Sequence, residues 1–258
     1  MYTNRNRARH MAKKIKRLLG GVNEIHCACV IHDTKYDFTY VDKLYRALCR
    51  NLTPDVILHV YTESNRPVPA PYVKHTLEEW PGVRGPKKSW WYKIQLFNPD
   101  YHSGQLLYFD LDTVIVDNID WIWKLSQSHF WAVRDFKYLF RSRRVTLNSS
   151  VMWFNTELYR HIYTEFDSKN ITKSVGKFHG DQDYIHTKVC GNKLRYFDSE
   201  LVQSYKWQVK EGGYNFTKRQ HFKPGEITWP SSNTSILVFH GSPNPHEENH
   251  PLLKDNWY

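Results

Sequence analysis

Residues 105–120 read QLLYFDLDTVIVDNID, an apolar strand pattern that runs into two carboxylates. Burying an unpaired carboxylate is expensive, so a strand that ends in Asp110 and Asp112 must deliver them to something that satisfies their charge. Set two residues apart, they project to the same side where the strand emerges. Two oxygen ligands would face one hard cation in this way, either Mg²⁺ or Mn²⁺. The same spacing also suits a turn in which both carboxylates accept from backbone N–H groups.

The flanking pattern is α/β. A buried strand is expected over 25–31, a helix over 39–51 with Val41, Leu44, Tyr45 and Leu48 inward, and a second strand over 56–62. Strand, helix, strand implies parallel pairing. A Pro-rich stretch over 66–71 and a polar loop with Gly82, Gly85 and Pro86 precede a helix over 89–97. Strands follow over 105–110 and 130–134, then an apolar segment over 145–155, a helix over 181–190, and strands over 193–197 and 236–239. In open α/β sheets ligands bind at the carboxyl ends of strands, where the Asp pair falls.

With 258 residues, 40% of them hydrophobic, the chain suits one large domain with a substantial core. Lys and Arg outnumber Asp and Glu by 36 to 26, yet seven of these cations lie in residues 1–20, which hold no acid. The rest of the chain is only mildly basic, so no nucleic-acid partner is expected. Residues 1–24 read as a basic extension, with Met11, Ile15, Leu18 and Leu19 on one helical face. Through 5–19 it either touches an anionic membrane surface or docks on its own domain. Cys27, Cys29, Cys49 and Cys190 show no metal-binding spacing and are expected reduced. The basic start has no apolar signal-peptide core, and no run of about 18 apolar residues exists, so the expected location is cytoplasmic.

Four motifs in order carry a resemblance. The stretch from Lys93 through YFDLDTVIVDNID, then NSSVMWFN, GDQDYI and VFHGSPNPH, resembles the retaining GT-A glycosyltransferases of family 8, the family of glycogenin and lipooligosaccharide galactosyltransferases. The likeness spans about residues 25–246 and is closer still to uncharacterised bacterial and phage relatives. It implies a single GT-A, Rossmann-like α/β domain over 25–258 with a mixed, mainly parallel sheet. The implied activity is metal-dependent transfer of a hexose from a nucleotide sugar, UDP-linked by the same resemblance, to a carbohydrate or other hydroxyl acceptor, with retention.

Carried over position by position, the resemblance makes Asp110, Asp112 and His240 the ligands of Mn²⁺ or Mg²⁺. Two carboxylates and an imidazole would leave room for diphosphate oxygens and water. Lys93 and Lys206 become cations for the leaving diphosphate, a role that needs positive charge rather than a strong base. Asn148, Ser149, Asp181 and Gln182 fall on the sugar and acceptor side, with Asp181 and Gln182 catalytic. Asp181 also reads as a simple helix cap. His32, Thr34 and Tyr36, in HDTKY after the first strand, and Gly241 fall on the donor side, with Tyr36 a candidate for base stacking. Trp90, Trp91, Trp121 and Trp123 are placed to stack on sugar or to fill the core. One departure stands out: Asn244 precedes Pro245 where the family has lysine.

FDLDTVIVD also fits the nucleophile motif of haloacid-dehalogenase-like phosphohydrolases, with Asp110 attacking phosphorus. That nucleophile ends the first strand of its fold, whereas two strands are expected before Asp110. A third alternative, suggested by Asn244, is an inactive nucleotide-sugar-binding domain.

Overall fold

The computed structural model describes residues 24–80, 82–83, 88–139, 146–166, 171–189, 191–210, 214–215, 220–221 and 233–258. The basic helix at 7–19, the extension short of residue 24, Gly85, Pro86, Val145 and Cys190 lie outside the described residues.

Strands β1 (Glu24–Val30) and β2 (Asp55–Thr62) pair in parallel through the crossover helix α1 (Thr39–Asn51), as the hydrophobic pattern predicts. Val41, Leu44 and Leu48 are buried along one stripe of α1 at helical spacing. Each contributes about 1.5–3 kcal/mol by leaving water, and Leu48→Ala would cost about 2–5 kcal/mol. The remaining strands are β3 (Val73–Thr76), β4 (Gln105–Phe109), β5 (Thr113–Ile115), β6 (Phe130–Arg134), β7 (Leu147–Asn155), β8 (Leu194–Tyr196), β9 (Val202–Ser204), the short pair β10 (Tyr214–Asn215) and β11 (Gln220–His221), and β12 (Ile236–Val238).

Seven strands form the main sheet in the order β3-β2-β1-β4-β7-β6-β8. Four of its six pairings are parallel and two, β4 with β7 and β6 with β7, are antiparallel. The sheet is therefore mixed and mainly parallel, as expected. Both faces are covered, which is why its strands read as nearly continuous apolar runs. Cys27, Cys29, Leu107 and Phe109 enter one core with α1, while Ala28, Leu106 and Tyr108 enter another beneath the segment Ser89–Phe97. That segment is a 3₁₀ helix with seven of its nine residues buried. Cys27, Cys29 and Cys49 are not joined in disulfides, and burial pushes the Cys27 thiol up.

Five strands escaped the sequence reading: β3, β5 and β9 are four, three and three residues long, and β10 and β11 two each. Runs that short carry no periodicity. Two of them matter for function. In a second sheet, β12 pairs antiparallel to β5 and parallel to β9. Val238 lies opposite both Thr113 and Ser204, so the chain leaving β12 emerges beside Asp112, which directly precedes β5. Among the described residues no helix is long and apolar enough to cross a membrane.

Candidate functional site at the carboxyl ends of the strands

The strand order reverses around β1, with β2 on one side and β4 on the other. Chains leaving two such strands diverge and open a crevice at their carboxyl ends. A cavity of about 590 Å³ lies there. β1 feeds His32, Lys35 and Tyr36 into its wall, β4 feeds Asp110 and Asp112, and β12 feeds His240 and Gly241. Asn148, Ser149 and Ser150 come from the start of β7, and Asp181, Gln182 and Asp183 from the start of helix α2 (Asp181–Lys188).

Lys93 is the one charged residue of SWWYKIQLF, and the burial of that helix carries it into the interior at 7% exposure. Its Nζ lies 2.8 Å from Asp110 Oδ1 and 3.5 Å from Asp181 Oδ2, and donates to Ser149 Oγ at 3.1 Å. Ser149 Oγ in turn donates to Asp181 Oδ2 at 2.6 Å. Burial opposes charge on Lys93, but Asp110 and Asp181 outweigh it and hold the ammonium above its ordinary pKa. Burial likewise raises the Asp110 carboxyl, and the Lys93 charge with hydrogen bonds from Lys93 and Tyr108 brings it back below the usual range. Tyr108 OH donates to Asp110 Oδ1 at 2.6 Å.

Asp112 is compensated less. It accepts from Tyr36 OH at 2.7 Å, and the half-exposed Lys35 stands 3.9 Å away. Burial and the neighbouring Asp110 charge push it up to about 6. Two buried carboxylates crowded together, with the nearest lysine committed to one of them, are a donor set that a hard divalent cation would satisfy. The chemistry of the residues present therefore fits the expected metal. His240 lines the same cavity, stacked on Phe136 at 5.5 Å, with Nε2 2.6 Å from Ser204 Oγ. Burial and the Lys206 charge lower its pKa to about 4, so the imidazole is neutral. Asp110, Asp112 and His240 are not drawn within 4.8 Å of one another through single ligand atoms, a spacing met among the described residues only by His26, His59 and His102.

Of the residues predicted from the sequence as metal ligands, donor contacts or catalytic groups, all line this cavity except Thr34 and Lys206. Lys206 is exposed on the turn Tyr205–Val209, and Thr34 binds Asp33 Oδ1 through its backbone N–H. The capping alternative for Asp181 gives way to a different contact. Gly180 is the N-cap residue, and the Asp181 carboxylate, itself raised by burial, faces Lys93 and Ser149. Tyr36 donates its hydroxyl to Asp112 Oδ2. Of the four tryptophans only Trp90 borders the cavity, at 39% exposure. Trp91 is core, Trp121 donates to Ser235 Oγ, and Trp123 donates to Asp120 Oδ1.

Lys35, Lys137 and His179 also line the cavity and were not singled out in the sequence. Only the Lys35 position, between Thr34 and Tyr36 in the same loop, offered a signal. His32 stacks on Tyr92 at 4.0 Å, and its Nδ1 is buried without a hydrogen-bond partner among the described residues. Asn244, in the lysine position of the motif, closes a capping box with Glu247.

No family model matches the sequence, and no curated protein is similar to it at the level of sequence. Solved structures do match. The galactosyltransferase LgtC, in complex with donor and acceptor sugar analogues, superposes with a TM-score of 0.55 at 11% identity, over 86% of this chain and 89% of that one. The glycosyltransferase GlyE of Streptococcus pneumoniae gives 0.60 at 12% identity, over 90% of this chain but 59% of its own. The bifunctional glycosyltransferase WbbM gives 0.54 at 11% identity, over 87% and 48%. The chain thus has the GT-A glycosyltransferase fold that its four motifs imply.

Proposed function

We propose that this chain is a divalent-metal-dependent glycosyltransferase that moves a hexose from a UDP-sugar to a hydroxyl group of a carbohydrate acceptor, with retention at the anomeric carbon. The observation that carries the reading is the Lys93, Asp110, Asp112 and Asp181 cluster in a cavity at the reversal of strand order. The fold shared with LgtC, whose structure holds donor and acceptor sugar analogues, supports it. Residues 25–258 make up the catalytic domain, and the basic residues 5–19 either touch an anionic surface or dock on that domain.

Asp110, Asp112 and His240 would hold Mn²⁺ or Mg²⁺, which when bound supplies positive charge to the leaving diphosphate. The neutral imidazole of His240 has a lone pair to offer. Lys35 and Lys137 add cationic charge to the diphosphate side. Lys93, held from three directions, fixes Asp110 and Asp181 so that neither reorganises during reaction. Asp181 and Gln182 stand on the sugar side, where Asp181 stabilises positive charge developing at the anomeric carbon. The phosphohydrolase alternative requires its nucleophile at the end of the first strand, whereas Asp110 follows the fourth.

Calorimetric titration of UDP in the presence of Mn²⁺ tests the reading. Micromolar affinity is expected, abolished by EDTA and by Asp110→Ala/Asp112→Ala, with UDP-sugar hydrolysis falling at least 100-fold in the same variant. No heat with any nucleoside diphosphate would overturn the donor assignment. Binding without hydrolysis or transfer would favour the inactive binding domain.

A further inference from the structure

A second polar cluster runs across the β1, β2 and β3 strands of the sheet, outside the cavity lining. His26 sits near the start of β1, His59 on β2, His75 on β3, and His102 in the turn before β4. None of them borders the catalytic cavity, which Val30 and His32 reach only at the far end of β1. His26 Nδ1 lies 2.8 Å from His59 Nε2, and His59 Nδ1 lies 2.8 Å from His75 Nε2. The His102 ring is centred 4.8 Å from that of His26 and 4.9 Å from that of His59. One ligand atom from each of His26, His59 and His102 can be chosen so that all lie within 4.8 Å of one another.

We propose that His26, His59 and His102 form a structural site for a borderline-soft cation, Zn²⁺ in particular, that ties β1, β2 and the turn before β4 together. Imidazole nitrogen favours Zn²⁺ over the hard Mg²⁺ and Mn²⁺ that carboxylates prefer. Tetrahedral Zn–N bonds of about 2.0–2.1 Å place neighbouring nitrogens about 3.4 Å apart, so the His26–His59 contact opens by roughly half an ångström to admit the ion. The surroundings suit ligation. His102 Nε2 lies 3.3 Å from the Gln105 carbonyl, which can only accept, so the proton sits there and Nδ1 keeps its lone pair. His75 performs the matching service for His59, accepting from Nδ1 so that Nε2, which faces His26 Nδ1, keeps its lone pair. His59 is 6% exposed while His26 and His102 are half-buried, which leaves the fourth position to water.

The test uses the full chain, stripped with chelator, carrying Asp110→Asn/Asp112→Asn to silence the carboxylate site. Equilibrium dialysis against Zn²⁺ is expected to retain one ion per chain, with affinity falling at least 100-fold in His26→Ala and His102→Ala, about tenfold in His75→Ala, and not in the control His129→Ala. Far-UV circular dichroism checks that each variant is folded. As a readout independent of any of these ligand variants, Co²⁺ bound to the silenced chain should give the intense visible absorption of a tetrahedral centre. Weak octahedral absorption, sub-stoichiometric zinc, or affinity unchanged by His26→Ala and His102→Ala would each overturn the site.

Discussion

Two polar clusters on the central sheet handle buried groups in opposite ways. At the carboxyl ends of the strands, Asp110 and Asp181 share buried Lys93, while burial and the neighbouring Asp110 charge push Asp112 up to about 6. Across strands β1, β2 and β3, imidazoles meet at 2.8 Å, and burial lowers His59 to about 3. An arrangement of neutral groups can be complete in itself. A cluster of like charges relies on counter-charge, here from Lys93 beside Asp110 and Asp181 and from the half-exposed Lys35 3.9 Å from Asp112.

The contrast makes its largest prediction through Lys93. Lys93→Met strands Asp110 and Asp181 in the interior without their cation, and should cost about 3–5 kcal/mol in urea unfolding. His59→Asn removes one member of a neutral chain, and should cost about 1–3 kcal/mol. Equal losses in the two variants would show that the two clusters are held by similar forces, and the comparison would fail.

A smaller effect concerns the loop that carries His32, Lys35 and Tyr36 to the cavity. Glu63, at the end of β2, accepts from the Asp33 N–H and pairs with Arg66 Nε at 2.8 Å, while Arg66 Nη2 donates to the Asp33 carbonyl. Asp33 itself has φ 63°, a left-handed conformation that this clamp holds. Burial raises the Glu63 carboxyl, but Arg66, Thr62 and the two backbone N–H groups lower it to about 2. A folded-state pKa below the unfolded one contributes stability that is present above about 4.5 and lost as pH falls toward about 2. Solvent screening of this partly exposed pair reduces the full contribution to about 1–3 kcal/mol at neutral pH. Glu63→Gln should remove this part of the acid dependence in chemical unfolding measured between about pH 5 and pH 2. A variant whose stability falls with acid as steeply as the parent would refute the clamp.

Long elements and charged strand ends were legible in the sequence because each depends on local pattern. The apolar stripe of Thr39–Asn51 and the run into Asp110 and Asp112 need no tertiary information. What the pattern did not carry was set by pairing across distance. β5 and β9 are three-residue strands held by β12, and they decide where His240 arrives and which hydroxyl, that of Ser204, it meets. The role of Ser149 rests on a register shift between Ala132 and Val133 in the pairing of β6 with β7, a bulge that no periodicity announces. The histidine cluster was invisible for the same reason, since its members lie up to 76 residues apart in sequence and meet through three strands and a turn.

Trp90 supplies the smallest expected effect and the sharpest probe of the acceptor side. Its neighbour Trp91 is 1% exposed and belongs to the core, whereas Trp90 stands 39% exposed on the cavity rim. Its Nε1 would lie 3.5 Å from a Cβ placed on Gly180, the residue just before Asp181. An aromatic face at the rim offers a platform to a sugar ring, worth about 0.5–1.5 kcal/mol. Trp90→Ala should therefore change unfolding free energy by less than about 0.5 kcal/mol. The same variant should raise the acceptor KM by roughly two- to tenfold, the factor that stacking energy converts to. Hydrolysis of the UDP-sugar without acceptor should move much less, because the metal and diphosphate side is untouched. An equal drop in hydrolysis and transfer would place Trp90 against the donor instead, and the acceptor would then have to approach from another part of the rim.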